Sequence, residues 1–538
     1  MNKLAPYPKA TALLSPKEKV GQLFMPAAFI NDNEEEIQAL EKLIKECHIG
    51  SLCFFHSRAS AATNFEGKKE VVYNEDSLET LKNLIARYQK AAKTPLLISI
   101  DAEWGLAMRV ENSPQYPYAI TQGAIVGHTD LIFKIGKNIA HDCKYCGIHW
   151  NLAPVVDINN NPNNPVIGYR SYGGNKELVS ENAIAYTLGT KSENILTCAK
   201  HFPGHGDTAI DSHLGLPIIE KTKEALWDHE LYPFRELIAN GVDAVMIGHL
   251  AVPSLSSQKN TPATLSKEII KGVLREEMQF TGVVISDALN MHSVSKMYPT
   301  KGALEWTAFD AGNDVLCFAE NIKEGIDLIL KNASEQQIEE SFERLWKLKT
   351  KAINASDEAP KEVRNPENLN HKLAYESLTI LQGEHKEIHS FRKEGFVGIT
   401  IGKEANNPFF GTISKSVTIA SFSTESSPKK SILEQIEGKN ILLAVFPPFA
   451  KPKDNFGVSR QDIEFIANLI ATKNVVLYHF GNPYFLDLLP VQKAKAVVVA
   501  YQDFETFQQN AANHYLGKVD AKGKLPITLN FDVCTSTK

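Results

Sequence analysis

Between Lys200 and His213 the chain places three histidines, two aspartates and a lysine within fourteen residues. Pro203, Gly204 and Gly206 interrupt the stretch, so neither a helix nor a ladder is expected to absorb its polar groups, which must then face water or a ligand. Asp211 and His213 are two residues apart. In an extended loop that carboxylate can accept the imidazole Nδ1–H, which fixes the tautomer and raises basicity. Such a pair moves protons. For any one of these histidines alone, a ring satisfying a backbone carbonyl in an ordinary surface loop ranks ahead of catalysis; the clustering is what points to chemistry. His201-x3-His205 lies on a Pro/Gly-broken segment rather than on one helical face, and the nearby acids lack ligand spacing, so neither a metal nor a cofactor is expected.

Positioning such a loop requires a strand. Residues 194–199 form an apolar run that reads as a buried strand, so the loop leaves a strand's C-terminal end, the catalytic edge of parallel α/β folds. Short apolar runs at 20–25, 50–55, 96–101, 148–153, 244–249, 283–287 and 314–318 complete a series of eight, separated by segments of helical spacing such as 77–88. Eight β/α units over roughly 330 residues predict a (β/α)8 TIM-type barrel with insertions. On that fold Asp101, Lys200, His201, His249 and Asp287 stand at strand ends and share one mouth. Asp287 is the natural nucleophile of the set; the competing reading is a strand-end aspartate capping the next helix. The asparagine-rich stretch 159–165 leads into 166–174, read as the long loop after the fourth strand. Arg170 on that loop overhangs the mouth and its guanidinium suits sugar hydroxyls or carbonyls; alone, it reads as a solvated loop tip.

A chain of 538 residues exceeds what one core usually covers. The expected organisation is a barrel over 1–355, a polar, proline-bearing linker over 356–370 and an α/β sandwich over 371–538. In that last part, apolar runs at 396–401, 416–420, 440–446, 475–478 and 496–500 alternate with helical segments such as 462–473, without a Gly-rich nucleotide fingerprint. Hydrophobic content of 43% and charged content of 22% are those of a globular protein. A formal net charge of -6 gives no basic footprint for nucleic acid or an anionic membrane, and no apolar run is long enough to span a bilayer. The first residues lack the hydrophobic region of a signal peptide, so the expected location is cytoplasmic, or periplasmic or exported if a signal precedes the numbered start. Seven scattered cysteines argue against a disulfide framework. Cys143-x-x-Cys146 reads as packing in the last turns of a helix stopped at Gly147 rather than as a redox or zinc motif.

Lys200-His201-Phe202-Pro203-Gly204-His205-Gly206 with Asp211-Ser212-His213, taken together with Ile285-Ser286-Asp287 and Asp101-x-Glu103-x-Gly105-x3-Arg109, resembles the β-N-acetylglucosaminidase branch of glycoside hydrolase family 3. The likeness covers nearly the whole chain, down to Gly523-Lys524-Leu525-Pro526-Ile527-Thr528 in the sandwich. It implies a retaining exo-enzyme that removes terminal N-acetylglucosamine from oligosaccharides such as peptidoglycan (muropeptide) or chitin-type fragments. By the same resemblance Asp287 is the nucleophile, and His213, oriented by Asp211, is the general acid/base. Asp101, Arg109, Arg170, Lys200 and His201 would hold the sugar in the innermost subsite. This chain has Asp101-Ala102-Glu103-Trp104-Gly105 where the family usually has Asp-Gln-Glu-Gly-Gly, which bears on the adjoining subsite and the preferred aglycone.

The chemistry is consistent with that assignment. A retaining glycosidase normally sets two carboxyls about 5–5.5 Å apart; here a histidine would replace one of them, and an imidazole with an unperturbed pKa near ~6.5 can donate and then accept a proton near neutrality. A β-glucosidase-type hydrolase, a phosphorylase of the same fold and a sugar-binding module without turnover are the alternatives.

Overall fold

The computed structural model describes residues 3–57, 73–208, 215–355 and 358–531. Asp211 and His213 lie outside the described residues. Two compact units divide the chain: Met1–Tyr116, Ile132–Ile158 and Val179–Asn365 form the first, and Pro117–Leu131, Asn159–Leu178 and Pro366–Lys538 the second.

The first unit is built on nine short parallel strands: β1 Phe24–Met25, β2 Ala27–Phe29, β3 Ser51–Phe55, β4 Leu97–Ile100, β5 Trp150–Asn151, β6 Cys198–Phe202, β7 Ala244–Ile247, β8 Val283–Ser286 and β9 Leu316–Cys317. Ladders join β2 to β3 to β4 to β5, and β6 to β7 to β8. Parallel bridges Trp150 to Leu196 and Val155 to Lys200 link β5 to β6, and Ile285 to Val315 links β8 to β9. Phe24 pairs with Leu316 and Met25 with Cys317, so the ring closes. β1 and β2 act as one strand broken at Pro26, which has no N–H to give a ladder. The result is the eight-stranded TIM-type barrel expected from the spacing.

Two boundaries differ from the sequence reading. Residues 20–22, expected at the start of the first strand, finish the helix Pro16–Gln22, which the Ser15–Glu18 capping box starts and whose last turn, Lys19 to Gln22, is buried. β6 begins and ends later than expected and takes in Lys200, His201 and Phe202, all buried. Cys143 and Cys146 are buried at the end of helix Thr129–Cys146, which stops at Gly147 in the left-handed region (φ 82°), as expected. Burial raises both thiols, Cys146 to about 12.

The closing helix Glu335–Ile353 seats a fully buried lysine at the barrel. Lys349 Nζ donates to Gln22 Oε1 (2.7 Å) and the Gly50 carbonyl (2.9 Å), and burial pushes its pKa down to about 7.

The second unit carries β10 Thr379–Gln382, β11 Phe396–Ile401, β12 Ser421–Ser423, β13 Asn440–Val445, β14 Val475–His479 and β15 Ala496–Val499 in the order β10-β15-β14-β13-β11-β12. All neighbours are parallel except β10, a strand the apolar runs did not reveal, which lies antiparallel to β15. β12 starts after the expected 416–420, because Ser416 and Val417 donate to Ile413 and close the helix Pro408–Ser414. Alternation splits the sheet's side chains between two cores: Ile441, Leu443 and Leu477 on one face, Leu442, Val476 and Tyr478 on the other. Helices cover both faces, which makes this unit the expected α/β sandwich.

Among the described residues no helix is long and apolar enough to cross a membrane.

Candidate active site

Asp101 directly follows β4, and the turn Leu106–Met108 brings Arg109 back to it. Arg109 Nη2 donates to Asp101 Oδ2 (2.8 Å), while its guanidinium lies over the Phe55 ring (5.0 Å). Lys200 near the end of β6 donates from Nζ to Asp101 Oδ1 (2.7 Å) and pairs with Glu103 Oε1 (2.8 Å). Burial alone would raise the Asp101 carboxyl, but Lys200 and Arg109 outweigh it and hold it well below the usual carboxylate range. Two carboxylates and two cations thus balance in a nearly dry site, where Lys200 is 2% exposed. Glu103, quoted in the motif but given no binding role from sequence, belongs to this network.

His201 is held from behind. Its Nδ1 lies 2.7 Å from Asp157 Oδ2, and Asp157 Oδ1 accepts the His205 backbone N–H at 2.7 Å. Burial raises the Asp157 carboxyl, but His201 and the His205 amide bring it below its ordinary value. An ionised Asp157 can only accept, so Nδ1 of His201 carries the proton and Nε2 is the basic nitrogen of the neutral ring. Asp157 also fastens the turn after β6 to the segment after β5. That close approach is why Gly206 is needed, since a Cβ there would fall 1.7 Å from the Ile158 carbonyl oxygen.

His205 Nδ1 pairs with Thr208 Oγ1 (2.7 Å), and burial beside His201 pushes its ring down to about 4, so it stays neutral at pH 7. Asp207 pairs with Lys221 (2.7 Å). The loop's polar groups were expected to face water or a ligand. Lys200, His201 and His205 are instead buried against protein partners, because the strand ladder runs through Phe202 and draws the first of them inside.

Asp287 follows β8. Its N–H donates to the Ile247 carbonyl (3.0 Å) and its Oδ1 accepts from the Ala288 N–H (2.8 Å). Its charge reaches His205, and the Cys198 thiol is raised by burial, lowered by Lys200 and raised again by Asp101 and Asp287. Asp101, His249 and Asp287 therefore follow the C-terminal ends of β4, β7 and β8, while Lys200 and His201 lie within β6. Arg170 sits in the turn Gly168–Arg170 of the second unit, its Nη1 donating to the Val166 carbonyl (3.2 Å). Trp104 is half-buried and its carbonyl accepts the Tyr116 N–H (2.8 Å). Among the described residues no cluster of three or more His, Cys, Asp or Glu is arranged to hold a metal.

Residues 15–348, more than half of the chain, match the model of the glycosyl hydrolase family 3 N terminal domain. The chain belongs to glycoside hydrolase family 3. Among its relatives, the β-hexosaminidase A of Pseudoalteromonas piscicida is 30% identical over 346 residues, 59% of this chain and 56% of that protein. The β-hexosaminidase of Actinobacillus pleuropneumoniae serotype 3 is 31% identical over 316 residues, 57% of this chain and 87% of that protein. This family member thus spans little more than half the length of the first relative and most of the second. A solved family 3 β-N-acetylglucosaminidase from Paenibacillus sp. str. FPU-7 superposes with a TM-score of 0.76 at 28% identity, over 96% of this chain and 99% of that one.

Proposed function

We propose that this family 3 member is a retaining exo-β-N-acetylglucosaminidase that removes terminal non-reducing N-acetylglucosamine from peptidoglycan or chitin-type oligosaccharides. The observation that carries the reading is Asp287 at the end of β8, on the same barrel face as the Asp101–Lys200–Arg109 network. Relatives described as β-hexosaminidases and a structural relative described as a β-N-acetylglucosaminidase support it.

In the proposed reaction the ionised Asp101 accepts sugar hydroxyls, Lys200 and Arg109 donate to the sugar's oxygens, and His201 Nε2 accepts from a sugar hydroxyl. Binding the ring this way aims its anomeric carbon at the Asp287 carboxylate. Asp287 attacks that carbon as the glycosidic bond breaks, and the leaving oxygen takes a proton from His213, held in its tautomer by Asp211. The imidazole then takes a proton from water, which attacks the glycosyl-enzyme and frees Asp287 with net retention.

A panel of chromogenic glycosides, assayed with and without phosphate, tests the reading. The expected result is hydrolysis of the N-acetyl-β-glucosaminide with no glycosyl phosphate formed. Preference for the β-glucoside, a phosphate-dependent glycosyl phosphate, or binding without turnover would each overturn it.

A further inference from the structure

The turn that carries Asp287 is held by a residue outside the sugar-binding network. His249, the second residue after β7, is fully buried. Its Nε2 lies 2.9 Å from the Ala288 carbonyl oxygen and its Nδ1 lies 2.7 Å from Thr264 Oγ1. A carbonyl can only accept, so Nε2 carries a proton and donates it to Ala288, while the Thr264 hydroxyl holds the other ring nitrogen in place. Thr264 is fixed in turn: its Oγ1 lies 2.9 Å from the Gly248 carbonyl, and its own carbonyl accepts from Asn313 Nδ2 (2.9 Å). On the other side, the Ala288 N–H donates to Asp287 Oδ1 (2.8 Å). The Ala288 carbonyl also accepts the Met291 N–H (3.1 Å), which closes the turn.

We infer that His249 is a positioning residue for the nucleophile: by gripping the Ala288 carbonyl it sets the N–H that orients the Asp287 carboxylate. The inference rests on Asp287 being the nucleophile. A carboxylate attacking an anomeric carbon needs one oxygen aimed along the breaking bond, and the Ala288 N–H bond to Oδ1 fixes the rotation of the carboxylate that sets this aim. Without the imidazole the turn keeps its Met291 closure, so the fold persists while the carboxylate swings. The expected loss is therefore in the chemical step and not in sugar binding.

The test compares His249→Leu, His249→Gln and Thr264→Val in the full chain. Each is assayed for single-turnover release of phenol from an activated N-acetylglucosaminide, for binding of N-acetylglucosamine itself, and for the rate and site of labelling by a fluorinated N-acetylglucosaminyl fluoride. His249→Leu should slow phenol release and labelling by about 10- to 100-fold, with sugar affinity within about 3-fold of wild type. His249→Gln, whose amide can still donate to Ala288, should recover most of the rate, and Thr264→Val should fall between. Should His249→Leu not fold, the other two carry the comparison. Unchanged rates in every variant that folds, an equal loss of rate and sugar affinity, or no recovery with glutamine would overturn the inference. A label found on a carboxylate other than Asp287 in the wild type would instead remove the reading on which it rests.

Discussion

The Lys200 ammonium lies 2.7 Å from the Asp101 carboxylate, and the lysine is only 2% exposed. Neither charge would be stable there alone, since burial raises Asp101 until its cations overrule it. The pairing keeps the Asp101 carboxylate ionised well below the usual carboxylate range.

Replacing Lys200 by methionine leaves Asp101 with Arg109 and takes the ammonium away from the buried Glu103. Removing one member of such a pair costs about 3–5 kcal/mol. Denaturant titration should show that loss, and kcat/KM should fall by at least about 100-fold. The folded-state pKa of Asp101 is depressed, so its contribution is full above the unfolded value near ~3.9 and is lost as pH falls. In the variant that depression shrinks, and acid unfolding monitored by circular dichroism should begin at higher pH.

Asp157 should behave as a buckle rather than a substrate contact. Asp157→Asn keeps the shape but can no longer accept at both oxygens, so the His201 tautomer and the His205 amide lose a partner. A loss of about 10- to 100-fold in kcat/KM is expected, with a drop in stability of about 1–3 kcal/mol on thermal unfolding.

Lys349 gives a pH signature opposite to that of Asp101. Its folded pKa of about 7 lies below the ordinary lysine value, so between about pH 7 and ~10.4 the unfolded chain binds more protons and stability rises with pH, by up to about 1.4 kcal/mol per unit. Below that window the burial cost is complete and constant. Lys349→Met should flatten the rise and stabilise the protein at pH 7, because Gln22 Oε1 keeps Thr94 and the Gly50 carbonyl keeps the Leu97 N–H. Urea midpoints at pH 7 and pH 9 measure both effects.

The sequence carries one further expectation on residues beyond the described set. If His213 is the acid/base, His213→Ala should lose most activity on poor leaving groups and far less glycosylation rate on an activated phenol, with azide partly restoring turnover. Asp211→Ala should show a milder form of the same pattern. Equal losses for good and poor leaving groups, with no azide effect, would reassign His213 to binding or structure.

Much of this architecture was legible because parallel barrel strands are buried on both faces and read as unbroken apolar runs, each ending at a polar residue. That rule placed Asp101, His249 and Asp287 just past the right strands, whereas Lys200, expected after its strand, lies inside β6. It missed Asp157 because the fourth run was ended at Ala153, although Val155-Val156-Asp157 repeats the apolar-then-acid pattern one turn of chain later. Long-range pairing was not legible at all. Nothing local says that Lys200 bridges Asp101 and Glu103, or that His205 is a neutral ring locked by Thr208, because those contacts exist only once distant strands lie side by side. The strand β10 escaped for a related reason: its burial alternates, so Thr379–Gln382 gives only a weak apolar signal.

The account stands or falls on the covalent role of Asp287. Incubation with a fluorinated N-acetylglucosaminyl fluoride, followed by intact-mass measurement and peptide mapping, tests it most directly. The account predicts one sugar adduct per chain, carried by Asp287, formed in step with loss of activity and absent from the Asp287→Ala variant. An adduct on another carboxylate, or an Asp287→Ala enzyme that turns over at near the wild-type rate, would contradict it.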